Sequence, residues 1–312
     1  MSAVSRLFSV IFCALVCLSS PFALAKSTNS AGTALPFGVL FQGREKFDLL
    51  VARAARENWS NLEMGERVAT VGKALVGTPY KSFTLDIDDR IEGVSVNFTG
   101  LDCWTFFETS LAFARMIAEP RENWTPERLL HYVELDRYRD GKCTGAYLSR
   151  LHYLEDWAID NESRGLVKDL TRSLGGSKVA HQASEMTHGW KQYRYLRSNR
   201  ALLPGIERME ARITGLPMYC IPISRVKSAS EKIRSGDIIC IVSKDGGRNV
   251  ATSHVGLALR DSGGKVHFMH ASSPRNYGKV VVDDEIDRYL RRYKTDVGIM
   301  VVRPLPARTP FQ

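Results

Sequence analysis

Three residues in this chain could carry out acyl-transfer chemistry together: Cys103, His254 and His270. Cys103 sits in the stretch Thr99-Gly100-Leu101-Asp102-Cys103-Trp104-Thr105-Phe106. Asp102 suits a helix N-cap, because its carboxylate accepts from otherwise unpaired N–H groups. Beyond it, Trp104, Phe107, Leu111 and Ala114 recur with a helical period. The pattern predicts a buried helix with Cys103 in its first turn. The helix dipole there favours a thiolate, so the expected thiol pKa lies below the usual value of about 8.5. A thiol so placed is a good nucleophile once a histidine stands beside it. A plain core cysteine is the competing expectation, since cysteine is among the most buried residue types.

The histidines lie far downstream, in Ser253-His254-Val255-Gly256 and Phe268-Met269-His270-Ala271-Ser272. A hairpin turn centred on Ser262 would set them directly opposite each other, each eight residues from the turn. Their Cβ atoms would then be about 5 Å apart on one face. A register slip of one residue would separate them. His267 falls on the other face and reads as surface or packing. Two adjacent imidazoles can serve as base and orienting group, bind a metal, or form a satisfied buried pair. A zinc site wants a third ligand, and no HExxH pattern supplies it. The expectation is therefore no metal and no cofactor.

Several elements must position these residues. Phe47–Trp59 and Leu62–Val76 have helical periodicity, and Gly77-Thr78-Pro79-Tyr80 stops the second helix. Glu92–Phe98 alternates as a strand and leads to the Cys103 helix. Residues 120–220 read as mixed and mostly helical. Helices are expected to start at Thr125-Pro126, near Arg150–Trp157 and at Leu203-Pro204. Tyr138-Arg139-Asp140-Gly141 reads as a turn. Asp237–Ser243, Ser253–Arg260, Lys265–Ala271 and Lys279–Asp283 are short β-like runs separated by glycine turns. A short helix over Asp284–Arg292 and a strand over Val297–Arg303 follow. The expected fold class is α+β, a nucleophile helix packed on an antiparallel meander.

Composition bounds the rest. The 312 residues have ample apolar content for a core, and the formal net charge is +9. Met1–Ala25 reads as a signal peptide: Arg6, the apolar run Leu7–Leu18, then the cleavage site Ala23-Leu24-Ala25. The run is too short for a membrane span. A lipoprotein at Cys17 is the weaker option, because Val16 precedes it. The expected location is periplasmic or secreted. Residues 26–45 read as a flexible leader and 46–305 as one domain, which the resemblance given below implies is catalytic, with 120–220 as its specificity insertion. The positive charge suits anionic partners such as the cell wall. The cluster at Arg288–Lys294 has no nucleic-acid motif and reads as a solvated face. Cys103, Cys143, Cys220 and Cys240 lie outside the signal segment, and Cys143 with Cys220 is the one disulfide pair considered. No CxxC occurs, which excludes zinc ribbons and thioredoxin-like centres. Oligomeric state is left open.

The ordered set Gly77-Thr78-Pro79-Tyr80, Leu101-Asp102-Cys103, Gly236-Asp237-Ile238, Ser253-His254-Val255-Gly256 and His270-Ala271-Ser272 resembles the NlpC-type cell-wall cysteine peptidases. It is more similar still to their N-acetylmuramoyl-L-alanine amidase-like branch. Asn97–Cys103, Tyr138–Gly141 and Ser149–Tyr153 carry that closer likeness. The resemblance spans roughly residues 60–305. It implies a papain-like fold with a Cys103–His254–His270 triad. It also implies hydrolysis of the bond between N-acetylmuramic acid and L-alanine in peptidoglycan or muropeptides. One departure stands out: Trp104 replaces a smaller residue after the nucleophile. In this reading backbone N–H groups with Tyr80 support the oxyanion, and Asp102 caps the helix. Trp104 and Ser253 shape the cleft. Arg150 pairs with a peptide carboxylate and His152 contacts sugar or peptide, or, on an equal footing, both make helix-capping and structural polar contacts. Rival readings are an endopeptidase cutting between D-glutamate and the diamino acid, and a non-catalytic wall-binding module. A transglutaminase-like acyl transferase is a third, with Asp283 or Asp284 as its acid.

Overall fold

The computed structural model describes residues 35–244 and 249–307; the expected signal peptide lies outside them. The chain begins with α1 (Phe37–Leu40) and β1 (Phe41–Gln42). Residues 35–45, placed by sequence in a flexible leader, are thus structured. β1 pairs in parallel with β2 (Val96–Asn97), and Phe41 packs among Phe47 and Phe98. Those apolar contacts outweigh the polar composition just upstream. Of the Glu92–Phe98 run, only β2 is strand.

Two helices follow β1. α2 (Arg44–Arg56) buries Phe47, Leu50 and Ala54, one stripe of the helix. α3 (Met64–Ala74) ends just before Gly77, whose φ of +88° suits glycine. α4 (Cys103–Met116) is buried on every side from Thr105 onward. A helix apolar all round belongs in a core, and its two charged residues are paired there. Glu108 is bound by Arg137 (2.5 Å) and Arg115 by Asp136 (3.1 Å), all nearly inaccessible. Both partners come from α5 (Pro126–Arg137), which Thr125 caps by accepting from Arg128 N at 3.2 Å.

The middle segment contains α6 (Leu154–Ser163), α7 (Glu185–Gly189), α8 (Arg194–Ser198) and α9 (Leu203–Thr214). It also supplies β3 (Val167–Asp169), β4 (Ser177–Val179) and β5 (Met218–Pro222). These strands join the main sheet through the final strand, so the segment is woven into the fold rather than inserted beside it. After α10 (Ile223–Ala229) come β6 (Ile238–Lys244), β7 (Val250–Arg260), β8 (Val266–Ala271) and β9 (Val280–Glu285). α11 (Ile286–Arg291) and β10 (Asp296–Pro304) close the chain.

The sheet runs β4-β5-β10-β6-β7-β8-β9, with β3 also on β10, and its pairings are antiparallel. The meander expected from sequence is present, and β10 returns to pair with β6. β6 is buried on both faces. Ile238, Cys240 and Val242 join the core under α4, whereas Ile239 and Ile241 join that of α10 and α11. Covering both faces explains the unbroken run Ile-Ile-Cys-Ile-Val. A third cluster, with Tyr147, Tyr195 and Ile213, holds the middle segment. Cys143 and Cys220, the one disulfide pair considered from the sequence, are both free thiols. Cys220 is buried on β5, while the Cys143 N–H binds Glu134 in the loop after α5. Among the described residues no helix is long and apolar enough to cross a membrane.

Candidate functional site

Cys103 is the first residue of α4, as the spacing predicts. Asp102 Oδ1 accepts from Thr105 N and Thr105 Oγ1, both at 2.8 Å, and Thr105 Oγ1 accepts from Asp102 N at 3.0 Å. This reciprocal capping box fixes where the helix starts. The turn before it is clamped from both sides. Leu101 N binds Pro79 O, and Tyr80 N binds Gly278 O. The Gly77–Tyr80 segment therefore ties the turn before Cys103 to the loop between β8 and β9.

The hairpin register differs from expectation. β7 and β8 pair Leu257 with Met269 and Ala258 with Phe268, which places Gly256 rather than His254 opposite His270. The turn lies one position further along, closed by Asp261 N to Lys265 O. The slip is two residues, so both histidines keep the same face, and diagonal neighbours remain within reach. His254 Nε2 meets His270 Nδ1 at 2.7 Å with the rings perpendicular. Gly256 makes this approach feasible: a Cβ there would stand 2.4 Å from Met269 O and 2.9 Å from His270 Cβ. His267 points elsewhere, to Asp283 O and Asp261.

Two contacts behind the histidines were missed by the triad reading. His270 Nε2 lies 3.3 Å from Asp283 Oδ2, and Arg292 Nη2 lies 2.7 Å from Asp283 Oδ1. Asp283, not Asp284, is thus the acid on the histidine line. A second missed feature is a bulge at Ser253. Ile241 pairs with His254 but Val242 pairs with Thr252, so Ser253 is the extra residue. Bulges commonly re-aim a side chain beside a site. Buried Glu155 accepts from Thr252 N and Oγ1 on one side, while Ser253 Oγ meets Ser243 Oγ at 2.6 Å on the other. Neither contact follows a local motif, so sequence carried no signal for them.

Electrostatics correct one expectation. The Cys103 thiol is pushed up to about 12 rather than down. Burial is the main cause and the Asp102 charge the second; N–H groups of Val255, Trp104 and Cys103 itself oppose them. The helix dipole is worth about 0.3–1 kcal/mol, under one pKa unit, whereas burial shifts a group by up to about 3–5 units. His254 is pushed down to about 3, by burial and then by His270. At neutral pH the pair is therefore a neutral thiol and a neutral imidazole. Tyr80 is raised to about 12 by burial, then by Cys103 and Asp102, so its hydroxyl stays a donor.

Cys103, His254, Tyr80, Trp104, His152 and Ser253 all line one cleft of about 280 Å³, walled also by Phe83, Tyr147, Tyr153 and Tyr193. Trp104 is steadied there by Glu108 Oε1, 3.3 Å from its indole nitrogen. A wider, polar cavity of about 880 Å³ adjoins it through Tyr153, Glu185, Thr252 and Ser253. Arg150 reaches the cleft but is not available to a peptide carboxylate as expected. It is 3% exposed, ion-paired with Asp86 at 2.5 Å and bonded to Leu85 O. His152 binds Tyr147 O at 2.9 Å and is pushed down to about 3 by burial and by Arg150, so it is neutral. Among the described residues no group of three or more His, Cys, Asp or Glu gathers as a metal site requires.

The α+β frame thus carries an aromatic cleft that holds Cys103 and His254, with His270 linked behind His254. The AmiA-like family, N-acetylmuramoyl-L-alanine amidase-like, matches residues 70–299. The chain belongs to that family, and the matched span contains Cys103, His254, His270 and Asp283. An N-acetylmuramoyl-L-alanine amidase from Bacteroides uniformis ATCC 8492 is 26% identical, with a TM-score of 0.69 over 78% of this chain and 99% of that one. A Bacteroides fragilis protein named as a proposed xylanase is 31% identical, with a TM-score of 0.66 over 75% of this chain and 99% of that one. A protein from Legionella pneumophila str. Philadelphia 1 shares the fold at 22% identity, with a TM-score of 0.62 over 84% of this chain and 96% of that one. No curated protein matches this chain.

Proposed function

We propose that this protein is a cysteine amidase with a papain-like, NlpC-type fold. Its substrate is the N-acetylmuramoyl-L-alanine bond of peptidoglycan or muropeptides. The carrying observation is that His254, which lines the same cleft as Cys103 at the start of α4, is linked through Nε2 to Nδ1 of the buried His270 at 2.7 Å. In this reading the thiol proton moves to His254 Nδ1 as sulfur bonds to the lactyl carbonyl carbon. His270 steadies the imidazolium. The oxyanion takes hydrogen bonds from N–H groups at the helix start and from Tyr80. His254 then returns the proton to the departing alanine nitrogen as the C–N bond breaks, leaving a thioester. Water activated by His254 attacks the thioester, freeing the muramoyl carboxylate and the thiol. Residues 1–25 direct export, and the positive charge of the chain favours anionic wall fragments.

A glycosidase reading has less support. It needs two carboxylates flanking the scissile bond. In this cleft Asp102 caps α4 and Asp86 holds Arg150, which leaves Glu185 alone. A transglutaminase-like reading wants an acid on the base itself, whereas Asp283 contacts His270.

The test compares protein lacking residues 1–25 with its Cys103→Ala variant on defined muropeptides, with and without EDTA, by mass spectrometry. Free N-acetylmuramic acid plus intact peptide, lost in the variant and indifferent to EDTA, is expected. Sugar still bearing L-Ala-D-Glu would move the cut to the endopeptidase bond. Activity that survives the substitution and dies with EDTA would overturn the thiol mechanism.

A further inference from the structure

We infer that Asp283 is a positioning residue that sets the tautomers of both histidines and so makes His254 Nδ1 the base for Cys103. This rests on the reading of Cys103 as nucleophile, and it follows from counting donors and acceptors along one line of contacts. An ionised carboxylate only accepts hydrogen bonds. Asp283 is kept ionised by its neighbours: Arg292 Nη2 and Asp284 N both lie 2.7 Å from its Oδ1. Its Oδ2 faces His270 Nε2 at 3.3 Å, so that nitrogen must carry the proton. A neutral imidazole has one donor and one acceptor nitrogen. His270 Nδ1 therefore presents a lone pair to His254 Nε2, 2.7 Å away. His254 Nε2 must then be the donor, which leaves the lone pair on His254 Nδ1. That is the ring nitrogen not engaged by His270, and it is the one left to take a proton from the thiol.

The surroundings of His270 favour this order. Phe268 stacks on its ring at 4.6 Å and Tyr289 meets it edge-on at 5.3 Å. Both hold the imidazole plane without competing for its nitrogens. The ring is 2% exposed, so bulk water does not compete for its nitrogens. Both ring nitrogens are already engaged, by His254 and Asp283. An amide in place of the carboxylate would donate to His270 Nε2 and reverse every donor along the line. His254 would then carry its proton on Nδ1 and lose its capacity to accept one from sulfur. The same logic governs the carboxylate of serine-protease triads, where the amide substitution costs about 10⁴ in kcat through the wrong tautomer.

Asp283→Asn is the decisive variant, with Asp284→Asn as a neighbour of equal charge change. Nitrogen-15 NMR of histidine-labelled protein reads the tautomers directly. The expected result is an unprotonated His254 Nδ1 in the native protein and in Asp284→Asn, and a protonated one in Asp283→Asn. Alkylation of Cys103 by iodoacetamide should slow at least about tenfold in Asp283→Asn alone. On muropeptide, kcat should fall about 10²–10⁴-fold with KM within about twofold. Native tautomers in Asp283→Asn, or an alkylation rate unchanged from native, would overturn the inference. Should Asp283→Asn fail to fold, a protonated Nδ1 on His254 in the native protein would overturn it equally. The NMR and alkylation readings need no substrate, so they stand apart from failure of the amidase reading.

Discussion

Arg150 and His254 reach the same cleft from two regions of the molecule, and their environments give them opposite roles. Arg150 comes from the middle segment, where polar side chains close on one another. Its guanidinium is bound by Asp86 and Leu85 O and lies over the Tyr147 ring, while Tyr138 binds Glu92 at 2.6 Å nearby. Arg139 pairs in the same way with Asp156. His254 comes from the hairpin half, where His270 engages its Nε2 and, among the described residues, no hydrogen bond engages its Nδ1. Among the same residues Arg150 Nε has no partner, but the guanidinium charge is met by Asp86 at 2.5 Å and the residue is 3% exposed, so that charge is used within the fold. Both regions line the cleft, the middle segment with Arg150, His152 and Tyr153 and the hairpin half with Ser253, His254 and Val255.

The largest expected effect tests the hairpin half. Cys103→Ala and His254→Ala should each lower hydrolysis about 10⁴-fold while leaving the thermal midpoint nearly unchanged. Arg150→Ala should do the reverse. Removing one partner of a buried ion pair costs about 3–5 kcal/mol, visible as a lower urea midpoint. If instead Arg150→Ala unfolds normally and raises KM, Arg150 belongs with the ligands and the contrast drawn above is wrong.

Titration marks one histidine in each region. His254 and His152 are both pushed down to about 3 from the usual 6.5. Between those values the unfolded chain binds protons that the folded chain refuses. Their contribution to stability is complete above pH 6.5 and is lost as the pH falls towards 3, by about 1.4 kcal/mol per pH unit for each histidine. Denaturation of His152→Gln across this range should show a shallower slope than the native chain. Equal slopes would mean that His152 is not held neutral.

Smaller effects probe the frame. Gly256→Ala should cost about 1–3 kcal/mol, because the added methyl meets Met269 O, and should disturb the histidine pair by NMR. If the pair is unaffected, the close approach of β7 and β8 is not what sets it. Thr125→Ala, far from the cleft, should cost about 1 kcal/mol through loss of the α5 cap and leave kcat within error.

Sequence foretold most of the frame because its causes are local. Asp102 with Thr105 starts α4, Thr125-Pro126 starts α5, and alternation with glycine turns lays out β6 to β9. Even an error in the hairpin register left the histidines on one face, since strand period is two and the error was two. Whether Cys143 and Cys220 pair was not legible for the opposite reason: two cysteines in one chain say nothing of the distance between them. The strands β3, β4 and β5 were lost inside a helical reading, because three to five residues carry too little period to register.

The sequence alone determined which residue types could react, where the nucleophile helix begins, and that a β-hairpin carries both histidines. Tertiary structure decided the rest. It engaged Arg150 with Asp86, set Asp283 behind His270, and raised the Cys103 thiol instead of lowering it. Capping, periodicity and turns act over a few neighbouring residues. Burial and the partner of a buried charge depend on chain segments many residues apart, and no local pattern encodes them.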